Sequence, residues 1–324
     1  MSKSFLVTGG AGFIGSHIVR RILNEGGTVR VLDNLCTGKR ERLRDVEPSI
    51  EFIEDDLTDH LACDAAVRGV EFVLHQAAIP SVHRSIQDPL GTNRANITGT
   101  LNLLESCRKQ GVRRFVYAAS SSAYGDTEVL PKREDMPPNP LSPYALQKLV
   151  GERYCMLYND LYGLETVSLR YFNVFGPSQD PYSEYSAVIP KFATRLQKGQ
   201  SLVVYGDGEQ SRDFTYVDNV VEANLLALKA RHAAGAVVNV GCGDRLTLNR
   251  LIQFLEEILG VRAEVDYQPS RCGDVRHSLA DINLARDLLG YQPKVAVKEG
   301  LRRTVEFFVA SGSGQSSSCV SKGV

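Results

Sequence analysis

Residues 5–15 read Phe5-Leu-Val-Thr-Gly-Gly-Ala-Gly-Phe-Ile-Gly15, and residues 16–23 continue as Ser16-His-Ile-Val-Arg-Arg-Ile-Leu23 with helical spacing. The first segment is an apolar strand that runs into three glycines. Glycines at a strand-to-helix turn let the backbone approach a pyrophosphate, and the helix N-terminus supplies free N–H groups and a positive dipole end. The spacing differs from the common G-x-G-x-x-G fingerprint, and a tight turn alone also favours glycine. The strand-turn-helix context predicts a dinucleotide site at Gly9, Gly12 and Gly15.

The residue after the second predicted strand indicates which dinucleotide binds. The strand is Thr28-Val-Arg-Val-Leu32, and Asp33 follows it. A carboxylate about 20 residues beyond the glycines accepts hydrogen bonds from the adenosine ribose and repels a 2′-phosphate, which favours NAD over NADP. Two alternatives stay open. Asp33 could cap a helix or turn, and the nearby cations Lys39 and Arg40 could tolerate a phosphate.

The composition argues against several classes of protein. The chain has 324 residues, 43% hydrophobic and 23% charged, with a net charge of −1. These values are usual for a globular protein of one large or two fused domains. The pI is near 6.6 and no basic stripe is visible, so neither nucleic acid nor a membrane is an expected partner. No apolar run reaches the roughly 18 residues that cross a bilayer, and from the early first strand we expect no cleaved signal.

The cysteines indicate the compartment. Seven of them are scattered through the chain without a C-x-x-C pair, at positions 36, 63, 107, 155, 242, 272 and 319. An odd number without metal-ligand spacing argues against a disulfide framework and against structural zinc. We therefore expect a cytoplasmic protein with no metal site.

Strand patterns alternate with helical patterns through the first half of the chain. After Leu32 the strand-like segments are 50–53, 71–75 and 114–119, with a helical segment at 96–108. This alternation predicts an α/β fold with a doubly wound, Rossmann-like parallel sheet. Ligands of such sheets bind beyond the carboxyl ends of the strands, where this chain carries Asp56-Leu57, His75-Gln-Ala-Ala78 and Ser120-Ser-Ser122.

The pattern loosens after about Phe172. A stretch rich in proline and tyrosine follows at 176–185, and beyond it come a buried-looking strand at 236–240 and a helix at 248–259. We interpret residues 1–172 as an NAD-binding domain to which later segments return, and residues 173–310 as a smaller C-terminal α/β lobe that holds the substrate. Residues 311–324 are rich in serine and glycine, which is typical of a flexible tail.

One pair of residues indicates catalysis. Tyr144 and Lys148 lie four apart near the start of an amphipathic helix, so they share a helix face. A lysine ammonium there lowers the tyrosine pKa from about 10 toward working pH, which makes Tyr144 a general base and acid. Such a spacing also arises by coincidence on exposed helices. Here it is the only Tyr-x-x-x-Lys in the chain, and it follows the serines at 120–122.

Together these motifs resemble the extended short-chain dehydrogenase/reductases, and within them the nucleotide-sugar epimerases. The resemblance rests on the glycine turn, Asp56-Leu57, His75-Gln-Ala-Ala78, Asn96, Ser120-Ser-Ser-Ala-Tyr-Gly125 and the Tyr144–Lys148 pair. It continues through segments 169–176, 187–190, 206–213 and 273–281, and so covers nearly everything except the tail. The chain resembles in particular the bacterial UDP-N-acetylglucosamine 4-epimerases of polysaccharide biosynthesis.

The resemblance implies a reaction. In these epimerases the tyrosine removes the O4 proton while C4 gives its hydride to NAD⁺. The 4-keto sugar then swings about its diphosphate, and the hydride returns to the opposite face. The resemblance makes Tyr144 the base and acid, Lys148 its electrostatic partner, and Ser120 or Ser122 the hydroxyl that contacts O4. Related dehydratases carry an Asp-Glu pair in the serine segment and related decarboxylases a glutamate, whereas Ser121-Ser122-Ala123 has no carboxylate. This favours epimerisation.

The resemblance also implies binding residues. The cofactor contacts are Gly9, Gly12, Phe13, Ile14, Gly15, Asp33, Asn34, Asp56, Leu57, Gln76, Ala77, Ala78, Asn96, Tyr144, Lys148 and Tyr171. The substrate contacts are Ser81, Ser121, Ser122 and Asn173 near the sugar, Val188 and Ile189 near the uracil, Arg212 and Arg271 at the diphosphate, and Asp274 at the uridine ribose. Arginine suits the diphosphate because its planar fork forms bidentate bonds to phosphate oxygens, although a single arginine is more often a solvated surface charge.

Ser278 bears on which sugar fits. Epimerases restricted to non-acetylated sugars carry a tyrosine at the matching position, whereas Gly273-Asp-Val-Arg-His-Ser278 places a small hydroxyl there. The small side chain leaves space for an N-acetyl group at C2, although serine is also an ordinary helix-capping residue. The expected activity is therefore a UDP-hexose 4-epimerase acting on UDP-GlcNAc and UDP-GalNAc, and also on UDP-Glc and UDP-Gal.

Two alternatives stay open. In a UDP-glucuronate 4-epimerase, Arg84 or the serines would hold the C6 carboxylate. An NAD-sensing binding protein could share the fold, but such proteins can lose the Tyr/Lys pair that this chain keeps. The family usually forms a homodimer through a four-helix interface, for which the helix at 101–108 and the helix after Tyr144 are candidates.

Overall fold

A computed structural model describes residues 3–181, 188–270 and 275–313, with side chains through residue 310. The strands in chain order are β1 (Ser4–Thr8), β2 (Thr28–Leu32), β3 (Ile50–Ile53), β4 (Phe72–His75), β5 (Arg114–Ser120), β6 (Glu165–Tyr171), β7 (Val174–Phe175), β8 (Leu202–Tyr205), β9 (Ser211–Arg212), β10 (Thr215–Tyr216), β11 (Val237–Val240), β12 (Leu246–Thr247) and β13 (Val265–Gln268). The helices are α1 (Phe13–Asn24), α2 (His60–Val67), α3 (Val82–Gln87), α4 (Pro89–Asn93), α5 (Gly99–Gln110), α6 (Pro143–Tyr162), α7 (Val188–Gln197), α8 (Val217–Lys229), α9 (Leu248–Leu259), α10 (Asn283–Leu289) and α11 (Val297–Ser313).

Seven of these strands form one parallel sheet, in the spatial order β11-β6-β5-β4-β1-β2-β3. Helices cover both faces, so successive residues of a strand enter different cores. Leu6 packs in an apolar cluster with residues of α2 and α5, whereas its neighbour Val7 packs in a cluster with residues of α1 and α8. The predicted α/β fold with a doubly wound, Rossmann-like parallel sheet is confirmed.

The helix α6 lies unusually close to β5. Ser142 caps its first turn, where the Ser142 hydroxyl accepts a hydrogen bond from the N–H of Ala145 at 3.1 Å, and Pro143 occupies the first helical position. A Cβ atom added to Gly151 would lie 2.2 Å from the phenolic oxygen of Tyr117 on β5. Glycine at 151 is therefore what permits α6 to press against the strand.

The chain beyond Phe172 contributes to both parts of the molecule. β11 returns to the main sheet and pairs with β6, with Val238 opposite Leu169. β8 and β13 form a separate two-stranded sheet, and short pairs join β7 to β10 and β9 to β12. α11 runs through Ser313, past the boundary predicted at 310, while the rest of the predicted tail lies outside the described residues. The domain boundaries at 172 and 310 stay predictions.

Two further observations concern the helices. The helical segment predicted at 96–108 consists of a π-helical turn at Arg94–Thr98 followed by α5. Throughout the described part of the chain, every helix is too short or too polar to cross a membrane.

Candidate active site

A cavity of about 730 Å³ opens at the carboxyl ends of β1, β2, β4, β5 and β6. This is where doubly wound sheets bind their ligands. The predicted site residues on its walls are Gly9, Gly12, Phe13, Ile14, Gly15, Asp33, Asn34, Asp56, Leu57, Gln76, Ala77, Ala78, Ser120, Ser121, Ser122, Tyr144, Lys148, Tyr171, Asn173, Arg212 and Ser278. Folding therefore brings most of the predicted cofactor and substrate residues to one cavity.

The glycine turn forms a bare cradle at one end of the cavity. Gly9 has a φ of +66°, and a Cβ atom there would lie 2.7 Å from the Cα of Ala77. A Cβ atom on Gly15 would lie 2.2 Å from the carbonyl oxygen of Gly9. Gly12 precedes α1 without any side-chain cap, so the first N–H groups of α1 face the cavity end of the turn without a side-chain partner. A pyrophosphate placed here would meet backbone donors and a positive helix end.

Asp33 lies beside this turn and is tied to it. One carboxylate oxygen accepts a hydrogen bond from the N–H of Ala11 at 2.9 Å, and the other accepts one from the N–H of Leu35 at 2.9 Å. Burial raises the pKa of Asp33 above its usual value, and these two hydrogen bonds and the charge of Arg42 lower it by less. The carboxylate lines the cavity just after β2, where an acidic residue of such a fold accepts hydrogen bonds from a ribose diol.

Lys39 and Arg40, the two cations that could have accepted the 2′-phosphate of NADP, both form ion pairs with other residues. Lys39 forms an ion pair with Asp180 at 2.7 Å. Arg40 forms an ion pair with Glu47 at 2.8 Å, and its guanidinium lies 4.6 Å from the ring centre of Phe52. Neither side chain lines the cavity. This arrangement is consistent with NAD rather than NADP.

A second carboxylate lies beyond β3. Asp56 accepts hydrogen bonds from the Asn34 amide at 2.6 Å and from the N–H of Thr58 at 2.8 Å. Burial alone would raise the pKa of Asp56, but these bonds together lower it below its usual value. Asp56 is therefore an ionised acceptor at neutral pH, on the same side of the cavity as Asp33.

The serines and Tyr144 meet at the carboxyl end of β5, on the cavity wall. Ser120 ends β5, and its hydroxyl oxygen accepts a hydrogen bond from the Ser122 hydroxyl at 2.8 Å. Burial raises the pKa of Tyr144 above its usual value, and a hydrogen bond with Ser120 lowers it by less. From the sequence we expected Lys148 to lower this pKa. In this structure the enclosure of the phenol outweighs any such effect, because desolvation penalises the phenolate. Ser120 is the hub that links Ser122 to Tyr144.

Lys148 is nearly inaccessible to water, with 4% of its surface exposed. Its ammonium lies 4.7 Å from the ring centre of Tyr117, a cation–π contact from the neighbouring strand. Burial lowers the pKa of Lys148 to about 8. His75, on β4, stays neutral beside it, since burial lowers the pKa of His75 to about 3. Burying the charged form of Lys148 therefore costs folding free energy, which indicates a role other than stabilising the fold.

A profile of the NAD dependent epimerase/dehydratase family matches residues 5–241 of this chain. The chain belongs to this family. It is 40% identical to a UDP-N-acetylglucosamine 4-epimerase from Methanobrevibacter ruminantium, solved in complex with UDP-N-acetylmuramic acid, with a TM-score of 0.92 over 96% of this chain and 99% of that one. It is 41% identical to the UDP-glucose 4-epimerase of Thermus thermophilus in complex with NAD, with a TM-score of 0.87 over 95% and 99% of the two chains.

Among sequence relatives, the UDP-glucuronate 4-epimerase of Thermodesulfobacterium geofontis is 35% identical over 314 residues, which cover 94% of this chain and 95% of that one. The predicted family, the enzyme class of isomerase and NAD as cofactor are confirmed by these comparisons. The relatives differ in the sugar that their names give.

Within this member of the epimerase family, some predicted residues lie away from the cavity wall. Asn96 lies behind it, where its side chain accepts a bond from the N–H of Ile79 and donates one to Gln147. Ser81 caps α3 by accepting a hydrogen bond from the N–H of Arg84. Val188 and Ile189 pack into the apolar core at the start of α7. Arg271 and Asp274 lie outside the described residues.

The cavity also has walls that the sequence analysis did not single out. Arg42 lines it beside Asp33 and donates hydrogen bonds to the carbonyl oxygens of Ala11 and Ser178. Tyr124 lines it directly after the serines. For Tyr124 a signal existed, because it belongs to the Ser120–Gly125 motif. For Arg42 no local pattern marks it, since only the fold brings it next to the glycine turn. In the described segments, no cluster of His, Cys, Asp and Glu could hold a metal ion.

Proposed function

We propose that this protein is a UDP-hexose 4-epimerase that interconverts UDP-GlcNAc and UDP-GalNAc and also accepts UDP-Glc and UDP-Gal. The observation that carries the proposal is the group formed by Tyr144, Ser120 and Ser122 on the wall of the cavity that the glycine turn also lines. A sugar hydroxyl placed there would meet one group able to transfer a proton and two hydroxyls able to orient it.

The chain's own residues account for the proton movements. Tyr144 would take the proton of O4 and later return it, while the Ser120 hydroxyl orients O4 and Ser122 holds Ser120 in place. When bound, NAD supplies a hydride acceptor and donor for C4. It would be held by the glycine cradle, by Asp33 at the ribose and by Lys148. Since burial keeps the phenol of Tyr144 neutral, a positive charge at this end is required to release its proton, and Lys148 is the cation at hand.

The turn after β5 supports epimerisation over elimination. The 3₁₀ turn at Ser121–Tyr124 carries no carboxylate. Elimination of water needs an additional acid and base, whereas oxidation and reduction at one carbon need only one proton-transfer group. With no carboxylate in this turn, Tyr144 is the proton-transfer group beside the serines, which suits reversible chemistry at C4.

The sugar wall supports N-acetylated substrates. The Ser278 hydroxyl donates a hydrogen bond to the amide oxygen of Asn173 at 3.3 Å, and both residues line the cavity. The backbone of Ser278 is fixed by a bond from its N–H to the carbonyl oxygen of Ser211 at 3.0 Å. A small side chain on a fixed backbone leaves the adjoining space open for a C2 substituent. A relative of 40% identity is named for UDP-N-acetylglucosamine, which agrees with this reading.

A second candidate is a UDP-glucuronate 4-epimerase. It is favoured by the hydroxyl-rich turn, because Ser121 and Ser122 both line the cavity and could bind a C6 carboxylate. It is disfavoured by Arg84, the cation that the sequence analysis offered for this carboxylate, because Arg84 does not line the cavity.

Product chromatography separates these candidates. The purified protein is incubated with UDP-GlcNAc, UDP-Glc and UDP-GlcA in separate reactions without added NAD, with Tyr144→Phe as the control in each. We expect UDP-GalNAc and UDP-Gal to appear, and little or no UDP-galacturonate. Conversion of UDP-GlcA alone would replace the proposal with the second candidate. If none of the three sugars is converted even after NAD is added to the reactions, 4-epimerisation is rejected.

A homodimer is part of the proposal. α5 and α6 pack side by side, and the outer face of α6 leaves Leu157, Leu161 and Tyr162 between 49% and 66% exposed. Apolar side chains in such a row are usual where a second copy packs. Light scattering during size-exclusion chromatography should give twice the chain mass, and Leu161→Glu should give the single mass. A single mass for the parent protein would reject the dimer.

A further inference from the structure

A buried ion pair lies directly behind the active-site end of α6. Glu152 follows Lys148 by one helical turn, and Arg170 lies near the end of β6. The guanidinium of Arg170 donates two hydrogen bonds to the carboxylate of Glu152, from Nε at 2.8 Å and from Nη2 at 2.7 Å. Their side chains are only 3% and 1% exposed. The pair therefore joins α6 to β6 through a fixed, bidentate fork.

The same guanidinium also contacts the turn that carries the serines. Its Cζ lies 4.6 Å from the ring centre of Tyr124, so the cation packs on the ring. Tyr124 ends the 3₁₀ turn that begins at Ser121, and Ser120 caps that turn by accepting a hydrogen bond from the N–H of Ser122. Arg170 thus holds Glu152 with one edge and supports the serine turn with another part of its planar group.

Tyr124 extends this connection to the wall that carries Ser278. Its phenol donates a hydrogen bond to the side-chain oxygen of Asn239 at 2.7 Å. The side-chain nitrogen of Asn239 donates bonds to the carbonyl oxygens of Lys132 at 2.9 Å and Asp281 at 3.2 Å. The N–H of Lys132 in turn bonds to the carbonyl oxygen of Leu279, the residue after Ser278. One continuous buried network therefore connects α6, the serine turn and the sugar wall.

Stability alone does not account for this pair. A buried ion pair loses the hydration of both charges, and apolar residues of similar size are often as stabilising or more so. Here Arg170 also keeps one guanidinium nitrogen, Nη1, buried without a hydrogen-bond partner. An arrangement that is costly for folding, yet fixes the distance between Tyr144 on α6 and the serines on the turn, fits a role in geometry. Proton transfer requires that distance to stay within about 2.6–3.2 Å.

We propose that Glu152 and Arg170 are positioning residues that, through Tyr124, hold the serine turn at working distance from Tyr144. Neither of the two lines the cavity. The proposal rests on the proposed function, because it concerns the same proton transfer. It predicts that loosening the stack slows turnover while leaving NAD and the nucleotide bound. A displacement of about 1 Å at such a site reduces rates by about a hundredfold.

Arg170→Lys is the sharpest variant, because it keeps the charge and removes the planar fork. We expect kcat to fall ten- to hundredfold, with KM and the amount of co-purified NAD within about twofold of the parent. Glu165→Gln is the matched control. Glu165 lies at the far end of β6 and pairs with another buried arginine, Arg114 on β5. Removing its charge should leave kcat unchanged. The assay uses whichever UDP-sugar the parent epimerises. An inactive parent protein would therefore count against the proposed function and not against the positioning role of the ion pair.

A double variant separates positioning from packing. Glu152→Met with Arg170→Met replaces the pair by apolar side chains, and its thermal unfolding midpoint should return near that of the parent. Its kcat should stay low. Recovery of both the midpoint and kcat would show that the pair only fills space and would overturn the proposal. If the double variant does not fold, Tyr124→Leu decides, because it removes the stacked ring and leaves the ion pair. Normal kcat in that variant would equally overturn the proposal.

Discussion

Lys148 should destabilise the protein that it serves. Its pKa falls from 10.5 to about 8 because the folded chain buries the ammonium. At about 1.36 kcal/mol for each pKa unit, the protonated side chain costs the folded state about 3 kcal/mol. Below pH 8 the side chain is protonated in both the folded and the unfolded chain, so the full cost applies at pH 7. Between pH 8 and 10.5 only the unfolded chain keeps the proton, and stability rises with pH.

Lys148→Met keeps the length of the side chain and removes its charge. In cofactor-free protein, urea unfolding at pH 7 should give a free energy up to about 3 kcal/mol above the parent, falling to about 1 kcal/mol above it at pH 9.5. Epimerisation should be lost. Lys109→Met on α5, where the side chain is 55% exposed, is the control and should show no such pH dependence. A variant no more stable than the parent at pH 7, or a gain equal at both pH values, would show that burial of the Lys148 charge does not cost folding free energy.

Three further substitutions test the site. Tyr144→Phe should lower kcat by about 10²–10⁴-fold or more while NAD stays bound, and near-normal turnover would remove Tyr144 from the mechanism. Asp33→Ala should weaken NAD binding by about tenfold to a hundredfold, because the carboxylate also holds the N–H groups of Ala11 and Leu35. It should also reduce discrimination against NADP, because the carboxylate that repels a 2′-phosphate is gone. Titration of cofactor-free protein measures both affinities. Ser278→Tyr should lower kcat/KM for UDP-GlcNAc by about ten- to a hundredfold more than for UDP-Glc, since an added ring costs about 1–3 kcal/mol in a packed wall. Equal losses for the two sugars would mean that residue 278 does not select the C2 group.

The parts of the fold that the sequence predicts are those with a local physical signature. The glycine turn is one, because Gly9 and Gly15 lie at approaches where a Cβ atom would collide with backbone. The strands that become β2 and β3 are others, since each is a short, mainly apolar segment. β6 escaped prediction although it is central to the sheet. Its sequence places Ser168 and Arg170 among apolar residues, and both are buried in the structure, where Arg170 forms its ion pair with Glu152.

The candidate site follows the same division. Residues that follow a strand, such as Asp33 and Ser120, could be placed from the topology alone, because parallel strands end at one edge. Val188 and Ile189, assigned to the uracil by resemblance, pack into or against the core at the start of α7, and their contact with the uracil stays a prediction. A local sequence cannot distinguish an apolar ligand contact from an apolar core contact. Arg42 escaped for the opposite reason, because a charged residue in a loop carries no sign of the cavity it will face.

The return of β11 to the sheet has a consequence during synthesis. β6 and β11 are separated by more than 60 residues of sequence, yet they are hydrogen-bonded neighbours. Until the ribosome has released residue 240, β6 is the open edge of a growing sheet. Its outer backbone groups are then unpaired, and side chains that are buried in the folded protein are exposed to solvent. Such edges recruit other chains. During synthesis, the predicted NAD-binding domain is therefore almost complete while β6 still lacks its neighbour β11. A fragment that ends at residue 172 should self-associate.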